Sequence, residues 1–242
     1  MLLNADLGES YGAWTMGMDE QLMPLLDQAN IACGGHAGDP LTMRRTLELA
    51  KAAGVQAGAH PSYPDLQGFG RRSIKMSADE LEAQILFQIS ALDGIAQSLN
   101  HPLAYVKPHG ALYNDMMADA AIRASVMRAL SSYYRPLKLM LLATAEQEQH
   151  LKEAQDHGLE LLFEAFADRA YTDEGKLVAR SQAHAVHGED KALEQALLLA
   201  QDQLVVTESG RRLAVRADTL CVHGDNPAAL ALIKRIREAL SE

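Results

Sequence analysis

Cysteine is scarce in this chain: Cys33 and Cys221 are the only two in 242 residues. Two cysteines are too few for a disulfide framework. No apolar run approaches the roughly 18 residues of a membrane-spanning helix. The amino terminus enters a strand-like pattern at once, with neither the basic nor the apolar region of a secretory signal. Together these absences set a cytoplasmic location as the expectation. No Pro/Gly/Ser-rich linker, low-complexity tract or fixed-period repeat divides the sequence, so one domain over 1–242 is expected. Basic residues number 22 against 32 acidic ones, and the formal charge of −10 disfavours nucleic acid and anionic membranes as partners. No G-x-G-x-x-G follows the first strand and no G-x-x-x-x-G-K-[ST] occurs, which argues against dinucleotide binding and against the commonest phosphate loop. The H-x-x-x-H and H-E-x-x-H spacings of metal-binding helices are missing too.

What is present is a recurring unit. Six apolar segments end in ionisable or amide side chains: Leu2 to Glu9, Ala29 to His36, Val55 to His60, Tyr105 to Gly110, Phe163 to Arg169 and Cys221 to Asp225. A seventh, Leu137 to Leu142, ends in Ala143-Thr144 without such a group. Helical patterns follow most of them. Asp39-Pro40 is a start signal and Gly54 a stop. Ser77 and Glu80 form a capping box before the stripe Leu81, Ile85, Ile89, Leu92, Ile95 and Leu99. Helices are expected at about 119–133 and 144–157, and a last one from Asn226-Pro227 with Leu232, Ile233, Ile236 and Leu240 on its apolar face. Two short β runs around Gly210 predict a hairpin inserted near 204–216. Alternating β and α segments imply a mostly parallel sheet covered by helices. Seven units favour an incomplete, TIM-like (β/α) barrel over the eight-stranded form, with a doubly wound open sheet as the alternative.

In such folds the chemistry gathers where the strands' carboxyl ends meet solvent. His36, His60, His109 and His223 all fall there, and imidazole suits proton transfer near neutral pH. His101, His150 and His157 lie in helices or at their ends and read as solvated surface, while His184 and His187 lie in a polar loop. Asp6 and Glu9 end the first strand; they are either loop caps or a carboxylate pair whose pKa values are split for acid and base work. Lys107 and His109 are two residues apart and share one side of a strand, so a lysine at the mouth is placed to meet a developing oxyanion. Asp6 with His36 or His60 is also a donor set for a divalent metal. The long loop after His60 carries Arg71 and Arg72, suited to a carboxylate or phosphate. Cys33 and Cys221 read as small buried hydrophobes.

Seven longer motifs then resemble the LamB/YcsF family: N-A-D-L-G-E-S-Y-G at 4–12, A-N-I-A-C-G-G-H-A-G-D-P at 29–40, G-A-H-P-S-Y-P-D at 58–65, G-F-G-R-R at 68–72, V-K-P-H-G-A-L-Y-N at 106–114, F-E-A-F-A-D-R-A-Y at 163–171 and C-V-H-G-D-N-P at 221–227. The segment Ser181 to Gly188 fits less well. The resemblance implies a single seven-stranded barrel of the glycoside hydrolase/deacetylase type. It also implies the A-type component of an ATP-dependent 5-oxoprolinase, which with two partner subunits (the B and C types) converts 5-oxo-L-proline, ATP and water into L-glutamate, ADP and phosphate. In that family the partners activate the lactam with ATP, and the A-type component opens the ring. ATP is then a co-substrate of the complex, a divalent metal enters as magnesium with ATP, and no organic prosthetic group is implied. Asp6, Glu9, His60, Lys107 and His109 are the catalytic candidates. Asn30, His36, Arg71, Arg72, Glu164, His223 and Asp225 are the substrate-binding ones. A bound metal would take Asp6, His36 and His60. Two other classes compete: a stand-alone metal-dependent deacetylase or amidohydrolase, and a non-catalytic binding component of a transport or regulatory complex.

Overall fold

A computed structural model describes residues 1–179, 182–223 and 227–240. In chain order the elements are β1 (Leu2–Leu7), α1 (Asp19–Leu22), a 3-10 turn (Met23–Leu25), β2 (Gln28–Ala32), α2 (Pro40–Ala53), β3 (Gln56–His60), α3 (Ala78–Ser98), β4 (Tyr105–Val106), α4 (Gly110–Ala118), α5 (Ala120–Ser131), β5 (Lys138–Leu142), α6 (Gln147–Asp156), β6 (Leu161–Phe166), α7 (Glu189–Asp202), β7 (Leu204–Val206), β8 (Arg212–Ala214), β9 (Thr219–Cys221) and α8 (Pro227–Ala239). Seven parallel strands pair in the order β1-β2-β3-β4-β5-β6-β9 and the ring closes from β9 back to β1. The barrel is thus one strand short of eight yet has no open edge. β7 and β8 form a separate antiparallel pair between α7 and β9.

Local chemistry explains the element ends. Asp39 accepts hydrogen bonds from the amides of Leu41 and Thr42 at the start of α2, Pro40 takes the first helical position, and Gly54 ends the helix at φ 71°. Ser77 and Glu80 satisfy each other's backbone amides before α3. That helix buries Leu81, Ile85, Ile89 and Leu92. Each fully buried side chain of this kind stabilises by about 1.5–3 kcal/mol. α5 and α6 are slightly shorter than the sequence pattern predicts. His150 is a correction: expected on the surface, it is fully buried in α6, with neither ring nitrogen hydrogen-bonded among the described residues. It lies near the Arg123–Glu153 ion pair. The hydrophilic residues around it hide its inward orientation in the sequence.

Alternate strand residues meet two environments. Leu3, Ala5, Leu7, Ala29 and Ile31 join the hydrophobic core. The intervening residues point into the barrel, which is polar rather than filled with branched aliphatics. Asn4 donates to Thr219 Oγ1 at 3.1 Å. Asn30 donates to Asn4 Oδ1 and Asp6 Oδ1, both at 2.8 Å. Tyr105 donates its phenolic hydrogen to Asn30 Oδ1 at 2.7 Å. The phenol crosses the barrel because its register partner is Gly58: a β-carbon there would stand 2.3 Å from the Tyr105 ring. Such a network is stable only when its members are mutually satisfied. It forms a rigid floor under the carboxyl ends of the strands.

Candidate active site

On that floor, Lys107 lies just beyond β4 with its side chain only 4% exposed. Its ammonium is 3.0 Å from Asp6 Oδ1 and 3.0 Å from Glu164 Oε2, and it also donates to Asn4 Oδ1 and Cys221 Sγ. Burial would pull its pKa down, but Asp6, Cys221 and Glu164 hold it well above the usual lysine value. Burial would likewise raise Asp6, but the adjacent His60 and Lys107 hold its carboxyl well below the ordinary range. The site therefore carries a fixed ammonium beside an ionised carboxylate. Cys33 and Cys221 are buried, and burial pushes both thiols up, Cys33 to about 12. Neither is activated as a nucleophile.

The imidazoles meet above this pair. His60 Nδ1 is 2.6 Å from the Lys107 carbonyl oxygen. His109 Nε2 is 3.0 Å from the Phe69 carbonyl oxygen. The remaining nitrogens, His60 Nε2 and His109 Nδ1, face each other at 3.0 Å. His60 Nε2 also lies 3.3 Å from Asp6 Oδ2. The His36 ring stacks on His109 with centroids 3.7 Å apart, and its Nε2 is 3.0 Å from Glu9 Oε1. Burial and neighbouring imidazoles lower the pKa of both His36 and His109, the latter to about 2. The G-F-G motif makes this packing feasible. Phe69 adopts φ 54°, and a β-carbon at Gly70 would stand 2.8 Å from the His109 ring.

A cavity of about 520 Å³ opens over these groups, a size usual for small-molecule sites. Asp6, Glu9, His60, Lys107 and His109 all line it, with Arg71, Arg169 and His223. His223 Nδ1 pairs with Asp168 Oδ2 at 2.9 Å. Tyr113, Asn114 and Phe166, which the pattern of ionisable strand ends does not single out, also line the cavity. The signal that could have found the first two is their place one turn beyond His109, at the start of α4. A smaller cavity of about 330 Å³ shares Val222 and His223 and adds Asp168 and His187. His184 lies on the exposed surface against Glu208.

Several substrate-binding expectations need correction. Asn30 and Glu164 have no exposed surface; they hold Asp6 and Lys107 from below. His36 is also buried and meets Glu9 and His109 rather than the cavity. Arg72 turns away to pair with Asp65 within its own loop and is not among the cavity-lining residues. Asp225 lies outside the described residues. The expected metal set of Asp6, His36 and His60 is also redrawn. The donors of Glu9, His36, His60 and His109 lie within 4.8 Å of one another; Asp6 Oδ1 is engaged by Lys107 and Asn30, while its Oδ2 lies 3.3 Å from His60 Nε2.

Comparison with known proteins agrees with this architecture. The chain is 53% identical over 241 residues to an A-type component of 5-oxoprolinase from Pseudomonas aeruginosa, covering 99% of this chain and 96% of that one. It is also 53% identical to the A-type component of 5-oxoprolinase from Vibrio cholerae, covering 99% and 97%. A crystal structure of a lactam utilization protein from Thermus thermophilus superposes with a TM-score of 0.92 at 40% identity, covering 100% of this chain and 96% of that one. The LamB/YcsF family profile matches residues 1–242, and the chain belongs to that family.

Proposed function

We propose that this chain is the ring-opening, A-type component of a cytoplasmic, ATP-dependent 5-oxoprolinase that works with two partner subunits. The observation that carries this reading is the buried Asp6–Lys107–Glu164 assembly opening into the same cavity as His60, His109 and Arg71. The names of relatives at about half identity support it. The sequence has no G-x-x-x-x-G-K-[ST], which supports assigning ATP chemistry to the partners.

A lactam carbonyl is a poor electrophile. Transfer of the terminal phosphoryl group of ATP to its oxygen, on the partner subunits, activates the ring carbon. In this cavity a water then adds its oxygen to that carbon, the C–N bond breaks, and the ring nitrogen takes a proton, giving the acyl phosphate of glutamate. A second water splits that acyl phosphate into L-glutamate and phosphate. Asp6 removes the proton from the attacking water and returns it to the leaving nitrogen. Lys107 keeps Asp6 ionised and faces the charge that develops on the substrate. Arg71 is the cation placed to hold the substrate carboxylate, while Arg169 lines the cavity with Nε and Nη2 given to the carbonyls of Ala185 and Val178. This division of labour is tested by measuring glutamate formation and ATP hydrolysis by the chain alone, the partners alone and all three together. Glutamate from the full set only, with no ATPase activity in the isolated chain, is the expected result. Robust ATPase or lactamase turnover by the isolated chain would overturn it.

A further inference from the structure

The two imidazoles on the cavity floor pose a hydrogen-bonding problem. A carbonyl oxygen only accepts, so His60 spends its N–H on Lys107 O and His109 spends its N–H on Phe69 O. In neutral rings the nitrogens left over are both lone-pair acceptors, and they point at each other across 3.0 Å. A carboxylate oxygen of Glu9, also an acceptor, lies 3.6 Å from His109 Nδ1 and 3.0 Å from His36 Nε2. Acceptors converge in this way around a cation. For two of the three rings the outer contacts match as well: a metal-bound histidine nearly always gives its second ring nitrogen to a backbone carbonyl or carboxylate, as His60 and His109 do here, whereas His36 Nδ1 is buried without a hydrogen-bond partner among the described residues.

We propose that Glu9 Oε1, His36 Nε2, His60 Nε2 and His109 Nδ1 form a binding site for one divalent first-row ion of the zinc type. Three imidazoles and one carboxylate are a donor set for a borderline-soft cation rather than for magnesium or calcium. Three of the six donor separations, 3.0, 3.0 and 3.6 Å, are near the edge of a tetrahedron drawn around an ion at bond lengths of about 2.0–2.2 Å; all four donors lie within 4.8 Å of one another, so the widest pair draws inward when an ion binds. Glu9 and His109 line the cavity, so an ion there is open to a water on the substrate side. The site does not depend on which substrate enters, and it replaces the Asp6-containing set expected from sequence.

The test uses the purified full-length chain, stripped with a chelator, dialysed and titrated with zinc and with cobalt(II). The expected outcome is about one ion retained per chain after removal of free metal. The cobalt form should show a low-symmetry visible spectrum, and X-ray absorption should show imidazole scattering. His109→Ala and His60→Ala should each weaken zinc binding by more than the roughly 10- to 100-fold typical of losing an outer-shell partner. His184→Ala, on the exposed surface beside Glu208, should bind as the parent does. Because a ring variant could unfold, circular dichroism accompanies each titration; the cobalt spectrum of the unmutated chain decides the matter by itself. Substoichiometric retention, an octahedral aquo-type spectrum, or equal affinity in folded His60→Ala and His109→Ala chains would overturn the proposal.

Discussion

Replacing Lys107 with methionine separates what the buried ammonium does for the fold from what it does for the reaction. Methionine keeps an unbranched side chain of similar reach, so packing is largely retained. The charge is lost, leaving Asp6 and Glu164 without the cation 3.0 Å from each. Removing one partner of a buried ion pair destabilises by about 3–5 kcal/mol, and for a domain of this size each kcal/mol lowers the melting temperature by about 2–4 °C. Lys107→Met should therefore melt roughly 6–20 °C below the parent. Glu164→Gln in the same chain removes the carboxylate with no exposed surface and leaves Asp6, whose side chain is 22% exposed. The double variant should recover most of the lost stability. It should not recover turnover, which we expect to stay at least about 100-fold down, as after loss of one stabilising donor in a hydrolase. Scanning calorimetry and glutamate formation by the reassembled complex read the two effects. A Lys107→Met chain melting within about 2 °C of the parent, or a double variant with restored turnover, would refute the reasoning.

Other perturbations probe separate parts of the molecule. Arg123, itself buried, makes a two-pronged pair with Glu153, and that hydrogen bond lowers the Glu153 carboxyl from 4.5 to about 2. The stability it contributes is present above pH 4.5 and is lost as pH falls through about 2. Because the carboxylate is 29% exposed, about 1–2 kcal/mol is expected after solvent screening. Urea midpoints of the parent and Glu153→Gln should therefore differ at pH 7 and converge below pH 4.5; a gap independent of pH would contradict this. Gly58→Ala drives a β-carbon into the Tyr105 ring and should destabilise by about 1–3 kcal/mol, which unchanged thermal melting would disprove. Arg71→Ala should raise KM for the lactam by about tenfold or more with kcat little changed, whereas Arg72→Ala should lower the melting temperature with KM within about twofold. Reversal of those two readouts would reassign the loop.

Much of the fold is legible in the sequence because each local signal has a local cause. Asp39, Gly54, Ser77 and Glu80 act within one helical turn of themselves, and the apolar strands stop where the cavity begins. Depth and direction are what the linear pattern hides. Asn30 and Glu164 resemble Asp6 and Lys107 in sequence, and Asn30 even pairs in register with Asp6, yet neither Asn30 nor Glu164 has any exposed surface. Arg72 looks like Arg71 until the loop folds it onto Asp65. The Glu9–His36–His60–His109 cluster draws on the carboxyl ends of four different strands, β1 to β4. Its donors converge only when the barrel closes, so no spacing in the linear chain reveals it.

Ring opening as proposed turns on Asp6, the carboxylate that joins the floor to the cavity. Asp6→Asn preserves shape and removes the charge, while Lys107 keeps Glu164 as its partner. The decisive measurement is glutamate formation from 5-oxo-L-proline and ATP by the reassembled complex carrying this variant, with thermal melting recorded on the same sample. The expected result is a loss of roughly 100- to 10,000-fold, the range for removing a general acid–base group, in a variant that still folds cooperatively but melts below the parent, because a carboxylate held ionised by His60 and Lys107 is gone. Turnover within about tenfold of the parent in the folded variant would contradict it.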